Sequence, residues 1–528
     1  MKREKVEGRR EKGEGRRGTG ERRIERHNTA FSLFPCPCSL ISCVFFLLIF
    51  IVVATLNSGG YRYGASDQAF YVPAVLERLD PGLFPHDHDL IQAQARLTFF
   101  DETISMLARV IPLPLPSLFV VLYIVTLAML ALAAARVAST LYRTRWAAVC
   151  LLAALTMKHE IARSGTNTLE WYFHPRQVAF ACGVLGLAAF LRGRTAVAAA
   201  LVCIGALEHP TTAVWFAVWV GVAAVVADRH LRVPAAVICG AGAVLGGWAL
   251  MAGPLAGRLS TMDPAWVATL PDKNYLFPLR WPMTAWLLNL GYVPVILAIF
   301  RRRRAAGLVT PRERGVLIGC LSLVVVFAVA VPLNAAGVQL AVQTQPARIF
   351  WMLDFLATVY AVWMLAEGAR PSERRARAVA LAVIAVTIVR SGYVARAVSA
   401  QRELVSIDIP DTDWGRVMRW ARGTARDTHW LADPAHAVKY GTSVRVAGQR
   451  DVFTEAIKDD AIGMYDRVVA MRTRDRLLAV GDFASLTPDR ARQLASEYDL
   501  DYLVTEASMN LPLAFESGRL RVYRITDH

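Results

Sequence analysis

The sequence predicts a multispan α-helical membrane protein with an extracytoplasmic α/β domain at its C-terminal end. Of its 528 residues, 55% are hydrophobic and 19% are charged, which is too apolar for a soluble chain of this length. The hydrophobic residues come in runs of roughly 17–25 residues, the length at which a helix crosses a bilayer. After about residue 396 no run of that length occurs. We therefore expect a membrane domain over residues 35–395 and a separate domain over 396–528.

We expect about eleven transmembrane helices in the membrane domain. The predicted spans cover residues 39–56, 117–137, 146–157, 178–191, 196–207, 211–227, 235–252, 283–300, 316–333, 350–366 and 378–393. Between the first two spans, residues 57–116 form an outer loop. Helical spacing over 69–79 and 101–110 predicts two helices that lie along the membrane surface.

The C-terminal domain has the sequence pattern of alternating strands and helices. Strands are predicted in HWLAD, DYLVTE and GRLRVYRI, and helices over 456–480 and 488–498. It carries neither a glycine-rich phosphate loop nor zinc-ligand spacing. The eight cysteines of the chain lie in or beside apolar runs, so they predict neither a metal site nor a disulfide framework.

The distribution of charge predicts the orientation of the chain in the membrane. The net charge is +16, but the basic residues cluster in short segments between apolar runs, such as 301–304 and 370–377. That is the pattern of cytoplasmic loops and not of a nucleic-acid-binding surface. Residues 1–34 read as a disordered basic tail in the cytoplasm. By parity, the outer loop and the C-terminal domain lie outside, in what we expect to be a bacterial inner (plasma) membrane.

Acidic and aromatic side chains are mixed in the outer loop, which suggests a site at the lipid–water boundary. Asp67 follows the first span closely, and an unpaired carboxylate beside a membrane is costly unless it is solvated or paired. The alternative is that Ser66 or Asp67 caps the helix beginning at Gln68. Asp101 and Glu102 are better explained as the start of a helix.

A second group of acids in this loop is the run FPHDHDL. Asp87 and Asp89 alternate with His86 and His88, and this pattern can bind a divalent metal. The alternative is an ordinary solvated loop. A metal is therefore possible but not indicated.

Cationic residues at the outer ends of later spans form the complementary half of the predicted site. They are His174 and Arg176 in YFHPRQ, His209 in EHPTT, and Arg348 in QTQPARIF. Arginine binds phosphate through a bidentate fork and stays charged at any relevant pH. The alternative for Arg348 is snorkelling to lipid headgroups. The EHPTT segment also interrupts an apolar stretch, which is tolerated where the backbone lines a protein-buried or wet cavity.

Two segments resemble bacterial multispan members of the GT-C class of membrane glycosyltransferases. They are SDQAFYVPAVLERLDPGLFPHDHDL in the outer loop and YDLDYLVTE near the C-terminus. The class includes protein O-mannosyltransferases, aminoarabinose transferases and oligosaccharyltransferase catalytic subunits. It places its catalytic carboxylate in the first outer loop, where Asp67 matches. A second acid often follows, and Asp89 matches best, with Asp87 next. The WWD-type motif of oligosaccharyltransferases is absent, which argues against sequon-directed N-glycosylation.

This resemblance implies an enzyme that moves a sugar from a polyprenyl-phosphate donor to a glycan, lipid or protein acceptor on the outer face. Asp67, with Asp89, would be catalytic, and the donor phosphate would meet Arg348, Arg176, His174 and His209. Besides the donor substrate, no cofactor is expected. Two other function classes remain open: a transporter or flippase-like protein for a polar lipid or glycan, and a non-catalytic scaffold.

Overall fold

The computed structural model describes residues 38–271 and 273–526, with side chains from residue 44 onward. The predicted basic tail of residues 1–34 lies outside the described residues. The N-terminal three quarters of the described chain are helical. Their helices, in chain order, are α1 (Cys38–Ser58), α2 (Gln68–Leu79), α3 (His88–Ala95), α4 (Phe100–Val110), α5 (Leu115–Leu141), α6 (Arg145–Leu155), α7 (Pro175–Leu191), α8 (Thr195–Glu208), α9 (Pro210–Ala227), α10 (Arg232–Met251), α11 (Pro264–Ala268), α12 (Met283–Ala305), α13 (Pro311–Ala335), α14 (Gln339–Gln343), α15 (Ile349–Ala366) and α16 (Glu373–Ser399).

Each of the eleven predicted spans coincides with one of these helices. Within the described residues, seven helical segments are long and apolar enough to cross a membrane: α5, α9, α10 with the turn before it, α12, α13, α14–α15 and α16. Four more apolar helices are shorter, namely the described part of α1 (Val44–Ser58), α6, α7 and α8. The chain is an integral membrane protein, and the full count of eleven spans stays a prediction.

Small residues allow the membrane helices to pack closely. A Cβ atom at Gly315 would lie 2.4 Å from the carbonyl oxygen of Ala223, and one at Gly319 would lie 2.2 Å from that of Trp219. Glycine at both positions therefore lets α13 approach the backbone of α9, as is common between helices in membranes. Trp219 donates its indole N–H to the Val316 carbonyl at 2.8 Å across this contact. This packing helps to fix the position of α9, and part of the site lies at the start of that helix.

The outer loop folds largely as the sequence predicts. The two predicted surface helices correspond to α2 and α4, each beginning one residue earlier than expected. Asp101 and Glu102 lie in the first turn of α4, where both pair with Arg78. The additional helix α3 contains part of FPHDHDL, which the sequence interpretation treats as a loop.

The C-terminal part is an α/β unit built on a five-stranded mixed sheet. Its helices are α17 (Asp413–Ala421), α18 (His436–Tyr440), α19 (Val444–Ala447), α20 (Ala456–Gly463), α21 (Arg467–Val480) and α22 (Pro488–Tyr498). The strands of the chain are β1 (Tyr61–Arg62), β2 (Glu160–Ile161), β3 (Thr166–Asn167), β4 (Val405–Ser406), β5 (His429–Ala432), β6 (Asp451–Val452), β7 (Tyr502–Thr505), β8 (Leu513–Ser517) and β9 (Leu520–Arg524). The sheet order is β6-β5-β7-β9-β8, parallel from β6 to β7 and antiparallel beyond.

The three strands predicted in this part are present as β5, β7 and β9. The single helix predicted over 456–480 is wrong, because the chain turns between α20 and α21. Asp466 starts a second helix: its carboxylate accepts the backbone N–H of Val468 and caps α21. The predicted domain boundary at residue 396 falls inside α16, which ends at Ser399.

The C-terminal unit packs on the outer loop. Strand β1, just after α1, pairs in parallel with β4, so that Tyr61 lies beside Val405. Deeper in the same contact, the guanidinium of Arg445 lies 2.7 Å from the Asp87 carboxylate and 2.6 Å from that of Asp459. All three charged groups are buried. This contact brings α20 over the beginning of α2, where Asp67 lies.

Candidate active site

Asp67 lies on a strained turn at the start of α2. Ser66, the residue before it, has a φ of 52°, in the left-handed region that a residue with a side chain rarely adopts. Asp67 stands at the N-cap position, but its backbone is helical and its carboxylate makes no capping hydrogen bond. The capping role considered for Asp67 is therefore wrong. Non-glycine residues in this conformation are frequently held at functional sites.

Gln68, fully buried, fixes this turn against the start of α7. Its side-chain oxygen accepts the Gly64 N–H at 2.6 Å, and its side-chain amide donates to the Phe173 carbonyl at 3.0 Å. Phe173 immediately precedes His174, so one side chain ties the Asp67 turn to the His174 turn.

His174 caps α7 and contacts Asp67 with its other ring nitrogen. Its Nδ1 accepts the backbone N–H of Arg176 at 3.1 Å. Its Nε2 therefore carries the proton of the neutral ring and donates it to Oδ2 of Asp67, also at 3.1 Å. Burial, reinforced by the Arg176 charge, lowers the pKa of His174 to about 3, so the ring is a neutral donor at physiological pH.

Arg176 adds a cation whose charge is largely balanced. Its Nη1 lies 3.9 Å from Oδ2 of Asp67, and its guanidinium forms a closer ion pair with the buried Glu170. A second hydrogen bond joins Arg176 to the Gly165 carbonyl at 3.2 Å. Arg176 is thus held beside the site by protein partners.

Lys458 of α20 completes the surroundings of Asp67. Its Nζ lies 2.7 Å from Oδ1 of Asp67 and 3.2 Å from Oγ of Ser66. Burial by itself raises the pKa of the Asp67 carboxyl, but Lys458, His174 and Arg176 outweigh it and hold the pKa well below its usual value. Asp67 is therefore ionised at neutral pH.

Arg348 is a buried cation at the start of α15. It is 8% exposed, and within the described residues no carboxylate forms an ion pair with it. Its Nε also lacks a hydrogen-bond partner. The turn that presents it contains Gln345, a buried residue with a φ of 50°. A buried charge without a counter-ion is costly, so Arg348 is suited to bind an anion.

His209 meets Arg348 where α8 ends and α9 begins. Its Nδ1 accepts the backbone N–H of Thr212 at 3.3 Å, so in the neutral ring the proton is on Nε2. That Nε2 lies 3.4 Å from Nη1 of Arg348. Two N–H donors cannot satisfy each other, and an anionic oxygen beside them would accept from both.

Three tyrosines connect the Asp67 and Arg348 parts of the cluster. Tyr71, Tyr275 and Tyr465 each interact electrostatically with both Asp67 and Arg348. The rings of His174 and His209 also lie edge to face, with their centroids 6.2 Å apart. The carboxylate and the uncompensated arginine therefore belong to one site at this end of the helix bundle.

The other predicted carboxylates do not join this cluster. Asp89, the second predicted catalytic acid, is exposed in the first turn of α3. Its neighbour Asp87 is buried, but its carboxylate pairs with Arg445 and Arg472 and accepts the Val452 N–H. Along the parts of the chain that the structure describes, no three potential metal ligands come together.

The structure thus brings together Asp67, His174, Arg176, His209 and Arg348, all of which the sequence marks as candidates. Sequence reasoning missed Lys458, Glu170, Gln68 and Tyr465. A local signal for the two histidines is the repeated His–Pro pair, because proline favours the first position of a helix and histidine caps it here. Lys458 has no such signal, since it lies 391 residues from Asp67 in the chain.

Comparison with solved structures finds matches of low sequence identity. The apo oligosaccharyltransferase of Archaeoglobus fulgidus matches with a TM-score of 0.44 and 13% identity over 88% of this chain and 69% of its own. The same organism's oligosaccharyltransferase AglB was solved with an inhibitory peptide and a dolichol-phosphate. It matches with a TM-score of 0.45 and 11% identity over 89% of this chain and 70% of its own. The arabinofuranosyltransferase AftD from Mycobacteria matches at 0.48 and 12%, over 93% of this chain and 40% of its own.

No family model and no curated protein matches the sequence. The structural matches have TM-scores of 0.44, 0.45 and 0.48. Because their TM-scores are below 0.5, they carry no argument about the activity, which rests on the geometry of the site.

Proposed function

We propose that this protein is a membrane glycosyltransferase that moves a sugar from a polyprenyl-phosphate donor to an acceptor on the outer face of the membrane. The observation that carries the proposal is the uncompensated Arg348, buried at the end of a membrane helix, in one cluster with the ionised Asp67. An anion-binding group next to a carboxylate base matches the two halves of this reaction. The sequence resemblance to the GT-C class supports the same reaction.

Arg348 and His209 would hold the donor phosphate. Both present N–H donors to one place, and His209 stands at the N-terminus of α9 while Arg348 precedes α15. The positive ends of both helix dipoles favour an anion there. His174 and Arg176 are occupied by Asp67 and Glu170, so they orient the base more than they contact the phosphate.

Asp67 would act as the general base. The oxygen of the acceptor hydroxyl attacks the anomeric carbon, and its proton passes to the Asp67 carboxylate. The bond between the anomeric carbon and the phosphate oxygen breaks, and the electron pair stays on the phosphate. Arg348 stabilises the charge that gathers there, because it is fixed in place before the reaction begins. The acceptor would be a glycan, a lipid or a protein.

A lipid-binding experiment tests the role of Arg348. Purified protein in detergent would be mixed with undecaprenyl phosphate, and the bound lipid counted by native mass spectrometry. We expect Arg348→Gln to weaken binding at least tenfold, because the buried site loses its free cation. Arg280→Gln is the matched control, since Arg280 is exposed and stacks on Phe277. If both variants lost lipid binding equally, or if neither lost it, Arg348 would only contact lipid headgroups nonspecifically.

A sugar-release experiment tests the role of Asp67. The protein would be incubated with a panel of undecaprenyl-phosphate-linked sugars and a membrane extract as the source of acceptor, and free lipid phosphate measured. We expect Asp67→Asn to keep lipid binding and to lower sugar release at least a hundredfold, because the amide cannot accept the proton. Lipid binding without sugar release in the unaltered protein would instead favour the flippase-like or scaffold alternatives.

A further inference from the structure

We propose that Lys458 of the C-terminal unit is a positioning residue for Asp67, whose ammonium holds the carboxylate in place until an acceptor hydroxyl displaces it. The proposal deepens the proposed function and rests on it for the identity of the acceptor. The hold of Lys458 on Asp67 can be measured independently of sugar transfer. The sequence and its family resemblance assign no role to this lysine.

The contact between Lys458 and Asp67 is short and largely shielded from water. The ammonium lies 2.7 Å from Oδ1, and the lysine side chain is 15% exposed. A second hydrogen bond, to Oγ of Ser66 at 3.2 Å, places the ammonium on the strained turn itself. An ion pair with these partners and this burial differs from an exposed surface pair, which contributes little.

Helix α20 is anchored, so Lys458 is presented from a fixed backbone. Trp266 donates its indole N–H to the Gly463 carbonyl at 2.8 Å, and the amide of Gln343 donates to the Met464 carbonyl at 3.0 Å. Asp459, next to Lys458, is held by Arg445. These bonds come from three different parts of the chain. The position of the ammonium is therefore set by tertiary structure, while its four methylene groups leave it free to swing away.

Lys458 is the main counter-charge of Asp67. Helix α7 supplies His174, which is neutral, and Arg176, which is balanced by Glu170. Within the described residues, four tyrosines also interact with the carboxylate, namely Tyr71 on α2, Tyr172 before α7, Tyr275 before α12 and Tyr465 after α20. Burial keeps the pKa of all four above its usual value, so they carry no charge at neutral pH.

The occupancy of the two carboxylate oxygens predicts where an acceptor enters. Oδ2 is held by His174 and approached by Arg176, whereas Lys458 is the partner of Oδ1. In the proposed step, the hydroxyl that hands its proton to Asp67 takes the place of the ammonium on Oδ1. Departure of the ammonium makes the carboxylate a stronger base at the moment when the acceptor arrives.

The experiment measures the ionisation of Asp67 in the full-length protein without any substrate. Dicyclohexylcarbodiimide reacts with protonated carboxyl groups, and mass spectrometry of the Asp67 peptide gives the pH of half-maximal labelling. We expect Lys458→Met to raise this midpoint by about one pH unit or more, a tenfold change in proton affinity. Lys458→Arg should leave the midpoint close to that of the unaltered protein, because it restores the positive charge.

Lys439→Met is the matched control, because Lys439 lies on the same unit, half exposed, and pairs with Glu506. Its Asp67 midpoint should not move. An unchanged midpoint in Lys458→Met, with melting temperature preserved, would overturn the proposal even if Arg348→Gln still abolished lipid binding. If Lys458→Met does not fold, Lys458→Gln is measured instead.

A second experiment uses the unaltered protein. Water-soluble carbodiimide should join Lys458 to Asp67 through an amide bond, and failure to find this link would also overturn the proposal.

Discussion

Glu455 lies one turn before Lys458 and is a buried acid with a raised pKa. It is 1% exposed, so its carboxyl group is shielded from water. The nearest cation, Arg445, is 3.9 Å away, and the equally distant ring of His436 is neutral because burial lowers its pKa to about 4. Burial, with the neighbouring Asp459 charge, raises the pKa of Glu455 to about 8, so the residue is protonated at neutral pH.

Replacing Glu455 with glutamine is expected to make the protein less sensitive to alkaline pH. The folded state binds this proton more tightly than the unfolded state does, so its stabilising effect is complete below the unfolded pKa of about 4.3. The effect declines as the pH rises and is lost through about 8. We expect the stability of Glu455→Gln relative to the unaltered protein to increase by roughly 1 kcal/mol per pH unit over this interval.

Melting temperatures in detergent at pH 5.5, 7 and 8.5 check this expectation. The exposed Glu516→Gln is the control, because its carboxylate is half exposed and pairs with Arg521 on the surface. If the melting temperatures of Glu455→Gln and the unaltered protein changed equally with pH, the burial of a protonated acid at residue 455 would be contradicted.

At the scale of the element, the site depends on helix N-termini. His174 and His209 each cap a helix with Nδ1 and direct Nε2 into the site, and each is followed by proline at the first helical position. Capping and site chemistry are thus performed by opposite edges of one imidazole. Another good capping residue can replace Nδ1 as the helix cap, but it cannot replace Nε2 as the group in the site.

Two substitutions at His174 separate these functions. Asparagine caps helices well, so His174→Asn should keep the melting temperature close to that of the unaltered protein. It should still lower sugar release, because it removes the donor to Oδ2 of Asp67. His174→Ala loses the cap too and should be less stable by about 1 kcal/mol. Equal melting temperatures for the two variants, measured beside the sugar-release assay, would show that the cap contributes nothing.

Elements of the fold were predictable where the signal is local. Apolar runs located eleven helices to within about six residues at either end, since a bilayer imposes both length and hydrophobicity. The predicted helix over 456–480 failed at Asp466, where a capping carboxylate competes with a favourable helical pattern. The residues of the site were likewise predictable where their signal in the sequence is local. His174 and Arg348 stand beside helix starts that the sequence indicates, whereas Lys458 reaches Asp67 through the docking of a whole unit.

At the scale of the whole molecule, the outer loop and the C-terminal unit are joined by charges of two kinds. Arg445 is buried between Asp87 and Asp459, whereas Arg426 pairs with Asp80 on the surface, with side-chain exposures of 65% and 36%. Both arginines bridge toward the same loop. We expect Arg445 to contribute far more to the stability of the protein than Arg426 does, because removing one partner of a buried pair leaves the other charges unbalanced.

Arg445→Met is therefore expected to destabilise the protein by about 3–5 kcal/mol, because Asp87 and Asp459 lose their shared cation. Arg426→Met, the matched control, should cost less than about 1 kcal/mol. Limited proteolysis between residues 396 and 412, read beside the melting temperature, reports release of the C-terminal unit. Similar cleavage of the two variants would mean that the buried cluster does not hold the unit in place.

The distance in sequence between the two partners of the Asp67–Lys458 pair has a consequence for biosynthesis. A ribosome makes helices α1 to α16 before Lys458 emerges. A chain synthesised only as far as α16 therefore contains Asp67 and Arg348 without the counter-charge that α20 brings. Assembly of the site therefore has to follow synthesis of α20, and chains that stop before α20 cannot enter the state in which Asp67 is held by Lys458.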